Sequence, residues 1–459
     1  MKKHTDRILV VTLISILAVF SSVQRSFSQT QESDVQARHK LAAEFQHSLF
    51  QKLLDPWYPR AVDTAYGGYL SNLSYDFKPF GKQDKYIVTQ TRNVWTLSEV
   101  VSRYPKYRST YGPWAKQGVQ FLRDKIWDKQ YGGFYSLVSR EGDPVRHAND
   151  PFTGTKTAYG NAFSIYGLAV YSEVFKDSAA HNLAIRTFKW LDENAHDARY
   201  GGYFQNLHQD GSPYKQGFSG QPPKDQNSTI HILEAFTELY KIWPDALLKS
   251  RIQELLDILQ KKIITDRHYM ILFFKADWTP VSYRDSLKGG KAQFFENDHV
   301  SFGHDVEIAY LMLEATEAIG IDKAPILMLG KAMVDHAIEN GWDDQNGGIY
   351  DAGYYIKKDG PITIVQHSKI WWSQAEALNS FLLMAEYFPN DQHDYYNHFL
   401  KQWEYLQKYM IDHEHGGWYW GGLDEEPQQR KRPKGTIWKA TYHDSRALMN
   451  CIERLTEMK

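Results

Sequence analysis

The segment Asp63-Thr64-Ala65-Tyr66-Gly67-Gly68-Tyr69 decides the fold, because the chain repeats its pattern. An aspartate is followed by three variable residues, a glycine pair, and then an aromatic residue or isoleucine. Further copies occupy residues 128–134, 197–203, 343–349 and 412–418, and residues 266–269 form a degenerate copy without the glycines. The pattern therefore recurs about every 70 residues, which indicates a chain built from repeated structural units.

The segments between these turns have helical periodicity. The glycine pair predicts a turn with positive φ, followed by a short extended piece. Apolar residues then recur at three-to-four spacing, which predicts a helix after each turn and another before it. The predicted inner helices cover residues 87–103, 158–175, 228–242, 302–319, 371–388 and 443–458. The predicted outer helices, which carry more charge on one side, cover residues 41–54, 114–126, 183–193, 246–264, 326–339 and 396–410.

Six helix pairs fit either an open solenoid or a closed ring. A solenoid usually has more copies and polar caps, so we expect the ring: an all-α (α/α)6 barrel of six helical hairpins. No linker rich in Pro, Ser or Gly divides the chain. Residues 29–459 are therefore expected to form a single catalytic domain.

The N-terminus has the pattern of a secretory signal peptide. A positively charged start precedes an uncharged, mostly apolar run at residues 8–20, and small residues follow at Ser26 and Ser28. We expect cleavage near Ser28 and an exported mature chain, periplasmic or secreted, because this apolar run is too short to span a bilayer comfortably. The single cysteine, Cys451, excludes a lipid anchor after the apolar run and any internal disulfide.

The composition narrows the classes of ligand. The net charge of −2 offers no electrostatic basis for binding nucleic acid or an anionic membrane. No glycine-rich phosphate loop precedes a helix, and no Gly-x-Ser-x-Gly motif is present. The chain has 14 Trp, 30 Tyr and 23 Phe, an excess that suits either a large core or a cleft that stacks on sugar rings.

One position near the start of each inner helix follows the repeat and carries a polar or aromatic side chain. These residues are Arg92, Tyr159, His231, His304, Trp372 and His443. Equivalent positions of a ring surround one axis, so we expect them to face one central pocket. Asn227, Glu307, Glu376, Trp438, Tyr442 and Arg446 lie nearby in the sequence. Taken singly, each has an ordinary reading, such as an Arg92–Glu99 ion pair. We interpret His299 and His367 as bystanders.

A metal site is the next alternative. His304 and Glu307 form an i, i+3 pair that could ligate an ion, but zinc sites usually draw closely spaced ligands. The other histidines lie on separate predicted helices, and the aromatic surroundings suit a sugar better. We therefore expect no metal.

Several ordered motifs resemble a known family. They are Arg92–Thr96, Tyr159–Tyr166, Asn227–Ala235, Phe302–Glu307, Trp371–Ala377 and Trp438–Arg446. From about Gly67 to Leu455 this set resembles the N-acylglucosamine 2-epimerase superfamily, and its branch of cellobiose and mannobiose 2-epimerases most. No single motif is diagnostic, but their ordered set is highly specific.

The resemblance implies an (α/α)6 barrel and a cofactor-free reaction. The reducing-end sugar opens, loses its C2 proton, passes through an enediolate and is reprotonated on the other face. The family's two acid/base histidines correspond to His304 and His443, its third histidine to His231, and its substrate-binding arginine to Arg92. Histidine suits a proton that leaves carbon and returns near neutral pH. Arg92 and His231 would stabilise the negative enediolate as preorganised donors.

The resemblance also assigns the remaining contacts to a small-molecule carbohydrate. Tyr159, Asn227, Glu307 and Glu376 would hold hydroxyl groups, while Trp372 and Trp438 would pack against sugar rings. Trp438 and Tyr442, both predicted to bind the substrate, precede His443 and favour the disaccharide branch. One departure is Asp444, where the family pattern predicts asparagine. Export suggests an oligosaccharide released outside the inner membrane, such as a mannan or cellulose fragment.

Three other functions remain open at this level. An aldose–ketose isomerase would use the same enediolate. A glycoside hydrolase on the same barrel would need two carboxylates beside the bond, for which Glu307 and Glu376 are candidates. A non-catalytic sugar-binding protein would not need the histidines, so it is the weakest alternative.

Overall fold

The structure, a computed structural model, describes residues 35–145, 155–282, 297–357 and 359–458. The predicted signal peptide, residues 1–28, lies outside the described residues. The inner helices are α2 (Ile87–Arg103), α4 (Ala158–Phe175), α6 (Gln226–Ile242), α8 (Phe302–Ile319), α10 (Trp371–Tyr387) and α12 (Tyr442–Glu457). The outer helices are α1 (residues 35–57), α3 (Arg108–Phe121), α5 (Ser178–Ala195), α7 (Ala246–Ile258), α9 (Ala324–Gly341) and α11 (Tyr395–Tyr405).

The inner helices form a closed ring. Each packs against the next along the chain, and α12 packs against α2. Contact between the first and last inner helices distinguishes a ring from a solenoid, so the predicted (α/α)6 barrel is confirmed. Four outer helices contain or continue into a π-helical turn, at Ser48–Leu54, Leu122–Ile126, Leu259–Ile263 and Leu406–Met410. Within the described residues, no helix has both the length and the apolar character of a membrane span.

The inner helices are buried on nearly every side, because they lie between the outer helices and the barrel axis. Aromatic side chains fill the axis. The rings of Trp95 and Tyr166 stack at 5.5 Å, and Tyr442 lies edge-on to both, at 5.0 and 6.1 Å. Much of the aromatic excess therefore belongs to the core.

Short antiparallel strands connect neighbouring repeats. They are β1 (Lys85–Tyr86), β2 (Leu137–Val138), β3 (Lys156–Thr157), β4 (Asn206–Leu207), β5 (Lys224–Asp225), β6 (Phe273–Phe274), β7 (Val300–Ser301), β8 (Ala352–Tyr354) and β9 (Thr363–Gln366). The sheets are β1–β2, β3–β4, β5–β6 and β7–β8–β9. Strands β1, β3, β5 and β7 each run directly into an inner helix, so the pairing fixes where that helix begins.

The repeated turn has the predicted conformation. In the copy at residues 128–134, a carboxylate oxygen of Asp128 accepts hydrogen bonds from the backbone N–H groups of Gln130 and Tyr131 at 2.9 and 3.2 Å. Gly132 and Gly133 have φ angles of +73° and +69°. A Cβ atom on Gly133 would also lie only 2.6 Å from the Trp190 ring, so this position requires glycine.

A buried lysine completes each intact turn, and the sequence analysis missed this feature. Lys156 Nζ donates to Asp128 Oδ2 at 2.8 Å and to the carbonyls of Gly132 and Gln209, both at 2.5 Å. These three acceptors satisfy an ammonium group that is fully buried. The equivalent pairs are Lys85–Asp63, Lys224–Asp197, Lys369–Asp343 and Lys434–Asp412, with N···O distances of 3.0, 2.7, 2.7 and 2.8 Å.

The degenerate turn has lost both partners of this pair. Asp266 is exposed. Val300 stands two positions before α8, where a lysine stands before α2, α4, α6 and α10. The absence of the glycine pair and the absence of the lysine therefore occur in the same repeat.

Replacing a turn lysine tests the importance of these pairs. We expect Lys156→Met to lower the free energy of unfolding by about 3–5 kcal/mol, because it leaves the Asp128 carboxylate buried without its cation. The matched control is Lys261→Met. Lys261 pairs with Asp257, and their side chains are 66% and 62% exposed, so that loss should stay below about 1 kcal/mol. Denaturant unfolding measures both, and equal losses would contradict the prediction.

Candidate active site

A cavity of about 450 Å³ lies at the end of the barrel where the inner helices begin. The first turns of α4, α6 and α8 line it through Tyr159, Asn227 and His304. Trp438, which precedes α12, lines the same cavity and is half-buried. The N-terminal ends of helices carry partial positive charge, so this end of the barrel favours an anionic group.

Arg92 lies beside this cavity. Its contacts show that it does not form the ion pair with Glu99 that was the ordinary interpretation. Its guanidinium donates to Tyr159 Oη at 3.0 Å and to the backbone carbonyl of Trp438 at 3.2 Å. Glu99, the alternative partner, instead accepts from Arg103 at 3.0 Å. Arg92 therefore bridges two residues that line the cavity.

Two histidines share a tryptophan neighbour. The ring centroid of Trp372 lies 4.5 Å from that of His304 and 5.7 Å from that of His443. The Nδ1 atom of His304 lies 2.8 Å from Ser301 Oγ at the end of β7. The third histidine, His231, lies 5.3 Å from the Tyr159 ring. The six residues thus lie together around the axis, but they do not share one position as predicted. Arg92 and His231 are the sixth residues of their helices, whereas the other four are the second or third.

Carboxylates orient two of the three histidines. Glu376 Oε1 lies 2.6 Å from Nδ1 of His443, and Glu234 Oε2 lies 2.8 Å from Nδ1 of His231. An ionised carboxylate only accepts hydrogen bonds, so each pair favours the tautomer with the proton on Nδ1. The Nε2 atom of each ring is then the nitrogen available to a ligand.

A buried arginine lies beneath these pairs. Arg446 Nη2 donates to Glu307 at 2.5 Å and to Glu376 at 2.7 Å. Its Nη1 donates to Glu234 and to the hydroxyl of Tyr442. The guanidinium therefore contacts the carboxylates of three different inner helices.

Glu307, Glu376 and His443 are also spaced as metal ligands would be, with one potential ligand atom from each lying within 4.8 Å of the others. The Oε1 atoms of both glutamates, however, accept hydrogen bonds from the same nitrogen of Arg446. The guanidinium therefore already provides these two oxygens with the positive charge that a metal ion would bring.

Burial lowers the pKa of the histidines. The pKa of His304 lies well below its usual value, because of burial first and then repulsion from His231, His299 and His443. The pKa of His443 is also well below its usual value, owing to burial and then to the positive charge of Arg92. Both rings are therefore neutral, and able to accept a proton, near pH 7.

The carboxyl groups differ in protonation. Burial favours the neutral form of Glu234, but the charge of Arg446 outweighs it and the pKa falls to about 2. Burial and the neighbouring Glu376 instead raise the pKa of Glu307 to about 8. Glu234 is thus ionised near neutral pH, whereas Glu307 carries a proton.

Two residues predicted to hold the sugar lie behind the site instead. Glu376 is fully buried and bonds His443, Arg446 and the hydroxyl of Tyr310, the last at 2.7 Å. Tyr442 is also fully buried, and its hydroxyl donates to Glu234. Their polar atoms are occupied by protein partners, so both support the site from below.

His299, interpreted above as a bystander, lines the cavity. It directly precedes β7, and the degenerate repeat gave no phase by which to place it. His367, in contrast, is exposed and packs against Tyr350 at 5.2 Å. The sequence analysis did not select Glu234, although it follows His231 by three positions, as Arg446 follows His443. That spacing places each one helical turn along the same face.

The low pKa of His304 predicts its protonation behaviour. The unfolded chain takes up a proton at a histidine near pH 6.5. Folded His304 does not, so falling pH favours the unfolded state at this residue. We expect an NMR titration from about pH 8 to 6 to show no protonation of the His304 ring. The ring signals are assigned to His304 by their absence from the spectrum of His304→Asn. A midpoint at or above about 6.5 would contradict the expectation.

Comparison with known proteins identifies the relatives of this barrel. The family described as N-acylglucosamine 2-epimerase matches the chain over residues 68–447. The cellobiose 2-epimerase of Bacteroides fragilis is 27% identical over 427 residues, which cover 91% of this chain and 99% of that protein. The D-mannose isomerase of Marinomonas mediterranea is 23% identical over 419 residues, covering 90% and 97%.

A solved structure is also similar to this chain. The cellobiose 2-epimerase from Bacillus thermoamylovorans matches with a TM-score of 0.78 at 25% identity, covering 90% of this chain and 99% of that one. Together with the match over residues 68–447, this similarity shows that the chain belongs to the N-acylglucosamine 2-epimerase family and is a carbohydrate-modifying enzyme of the sugar 2-epimerase and isomerase class.

Proposed function

We propose that this chain is a cofactor-independent 2-epimerase that acts on the reducing-end sugar of a disaccharide or short oligosaccharide, of the cellobiose or mannobiose type. The arrangement of His304 and His443 carries the proposal. Both rings contact Trp372, at 4.5 and 5.7 Å between centroids, and they come from α8 and α12, the inner helices on either side of α10. Each has its Nδ1 atom held by the protein, which leaves Nε2 for a substrate.

The reaction needs two groups that exchange protons with carbon. Once the sugar ring has opened, one histidine accepts the C2 proton and the electron pair of the C–H bond moves toward the C1 carbonyl. The other histidine, which first takes up a proton from solvent, delivers that proton from Nε2 to the opposite face of C2. The electron pair returns from the enediolate to form the new C2–H bond, the carbonyl forms again, and the first histidine releases its proton to solvent. The neutral resting state suits proton acceptance, and the developing negative charge raises the pKa of nearby rings so that a proton can be held and returned.

The charge that develops on the enediolate oxygens has suitable partners. Arg92 is held in place by Tyr159 and the carbonyl of Trp438, so its guanidinium is preorganised. His231 lies beside Tyr159 with its Nδ1 atom fixed by Glu234, so its protonated form would donate from Nε2 to the enediolate. The first turns of the inner helices add a positive potential at the same end of the barrel.

Several groups can hold sugar hydroxyls. Asn227 and Tyr159 line the cavity with polar atoms. Glu307 has one buried oxygen, Oε2, without a hydrogen-bond partner among the described residues. A buried oxygen of this kind is costly unless a ligand completes it, so we assign it to a substrate hydroxyl.

The second sugar unit is assigned to Trp438. Its half-buried ring lines the cavity and packs against Tyr86 at 4.8 Å between centroids. An aromatic face beside the reacting sugar suits a disaccharide, because sugar rings present an apolar face.

Aldose–ketose isomerisation is the second candidate. The similarity to a D-mannose isomerase favours it, and it uses the same enediolate but returns the proton to C1 instead of C2. A ketose product without the C2 epimer would support this alternative.

Glycoside hydrolysis fits the geometry less well. Glu307 and Glu376, the candidate pair, are fully buried and bonded through their Oε1 atoms to one nitrogen of Arg446. A hydrolase needs its two carboxyl groups on either side of the scissile bond, and these two converge on a guanidinium instead.

Solvent exchange tests the proposed reaction. The wild-type protein in heavy water should introduce deuterium at C2 of cellobiose or mannobiose and produce the epimer, as followed by proton NMR. His304→Asn and His443→Asn should each abolish the exchange, because each removes a proton carrier. The control is His367→Asn, an exposed histidine outside the cavity, which should retain it. Exchange that persists in both active-site variants would refute the proposal.

A tryptophan substitution tests the substrate length. We expect Trp438→Ala to raise KM for the disaccharide about tenfold, since an aromatic contact contributes about 0.5–1.5 kcal/mol beyond its buried area. The KM for a monosaccharide should change much less. Trp420→Ala, which removes another half-buried tryptophan outside the cavity, should leave both values near wild type. An equal rise for both sugars would contradict the assignment.

We also propose that residues 1–28 are removed on export and that the mature chain, residues 29–459, acts as a single domain outside the inner membrane. The support is the order of the N-terminal segment, in which a charged start is followed by an apolar run and then by small residues. N-terminal sequencing of the protein from fractionated cells would test it, and an intact N-terminus in the cytoplasm would oppose it.

A further inference from the structure

A second layer of ionisable residues lies one helical turn beyond the site residues. Each member follows the site residue of its own inner helix by three or four positions. The pairs are His231 with Glu234, His304 with Glu307, Trp372 with Glu376 and His443 with Arg446. All four ionisable residues are buried. Three acids from three helices thus meet a single arginine from the fourth.

The two nitrogens of the Arg446 fork serve different histidines. Nη1 contacts Glu234, whose other oxygen holds Nδ1 of His231 at 2.8 Å. Nη2 lies 2.7 Å from Oε1 of Glu376, and that same oxygen holds Nδ1 of His443 at 2.6 Å. One planar group therefore fixes both carboxylates that orient the two rings.

We propose that Arg446 is a positioning residue that sets the orientation and tautomer of His231 and His443 together, through Glu234 and Glu376. The inference rests on the proposed function, because these two histidines are its enediolate-stabilising and acid/base groups. Arg446 itself lies behind the rings and does not line the cavity. Its role is to keep two buried carboxylates in place, where each holds a proton on Nδ1 and directs Nε2 toward the sugar.

The planar fork is essential to this role. A guanidinium presents its N–H groups in a fixed plane and binds carboxylates from two directions at once. A lysine keeps the charge but concentrates it at one atom, so it can hold one arm of the network and release the other. The conservative substitution therefore separates geometry from charge.

The Nδ1 atom of His304 is held outside this network. Its Nδ1 atom lies against the hydroxyl of Ser301 and not against a carboxylate. A change at Arg446 should therefore disturb His231 and His443 and leave the environment of His304 as it is. A purely structural role for Arg446 predicts no such distinction.

Arg103 provides a matched comparison at the opposite end of the barrel. It also bridges two inner helices, because it bonds Glu99 of α2 at 3.0 Å and Glu453 and Asn450 of α12 at 2.8 and 3.0 Å. It is far along the helix axis from the residues of the site. Arg103→Lys weakens a comparable bridge without touching the histidines.

The experiment compares Arg446→Lys with Arg103→Lys as full-length proteins. We expect Arg446→Lys to lower kcat about 100-fold, since a small misplacement of a reacting group has an effect of this size. Its KM should stay within about threefold of wild type, because the cavity is unchanged. Arg103→Lys should alter neither constant beyond about twofold, whatever it does to thermal stability.

Proton NMR of histidine labelled with ¹⁵N supplies a reading that does not depend on turnover. In the wild type, the Nδ1–H protons of His231 and His443 should appear downfield, because each is bonded to a carboxylate. Arg446→Lys should shift or broaden both signals. Each signal is assigned to its histidine by its disappearance in His231→Asn or His443→Asn. The ring signals of His304 should not move.

The outcomes are distinct. A folded Arg446→Lys with kcat within about threefold of wild type, or with both downfield signals unchanged, would overturn the proposal. If Arg446→Lys does not fold, the variants Glu234→Gln and Glu376→Gln are used instead. Each should shift the Nδ1–H signal of its own histidine alone. If neither variant shifts a signal, the proposal is also overturned. A wild type that is silent toward every sugar but shows the coupled signals would refute the proposed function and leave the positioning role standing.

Discussion

The barrel depends on burying a lysine ammonium beside the aspartate of each intact turn. An ammonium in the protein interior is costly unless its three protons are bound, and Lys156 meets this condition with one carboxylate and two carbonyls. Since these acceptors come from two different turns, the lysine ties one repeat to the next. Tyr159 and Trp372 each follow their lysine by three positions, so the same bond that joins the repeats also sets the position of the site.

Next to these lysine–aspartate pairs, the site consists of two layers of side chains with different roles. The upper layer offers neutral imidazoles, an arginine and aromatic rings to the cavity. The lower layer contains the ionisable groups whose charges compensate one another around Arg446. This division resolves a conflict: a proton carrier must remain neutral until the reaction begins, yet it needs a charged partner to hold its tautomer. Glu376 supplies that partner to His443, while burial, and after it the charges of Arg92 and Arg446, keeps the pKa of the ring low.

The sequence predicted the helices and the ring well because both follow a strict period. The inner helices α2, α4 and α8 begin and end where apolar spacing placed them. The outer helix α5 begins at Ser178, ahead of its predicted start at Leu183, because Asp177 caps it by accepting from two backbone N–H groups. The turn lysines were missed since their separation from the aspartate varies, from 22 positions in the first copy to 28 in the second. The hydrogen bond between Glu234 and Arg446 joins residues 212 positions apart. A local sequence pattern cannot predict a contact at this separation.

The one imperfect repeat has a consequence for how the family can vary. In five sectors of the ring, any change in the connecting segment must preserve a buried ion pair, so length and composition are constrained together. The sector of Asp266 and Val300 has no such pair, and it also contains the longest step between turn aspartates, from Asp266 to Asp343. Its chain leads through His299 into the wall of the cavity. We therefore expect insertions and substitutions to be tolerated best in the sector that borders the cavity, where they can reshape its wall while the other five sectors keep the barrel closed.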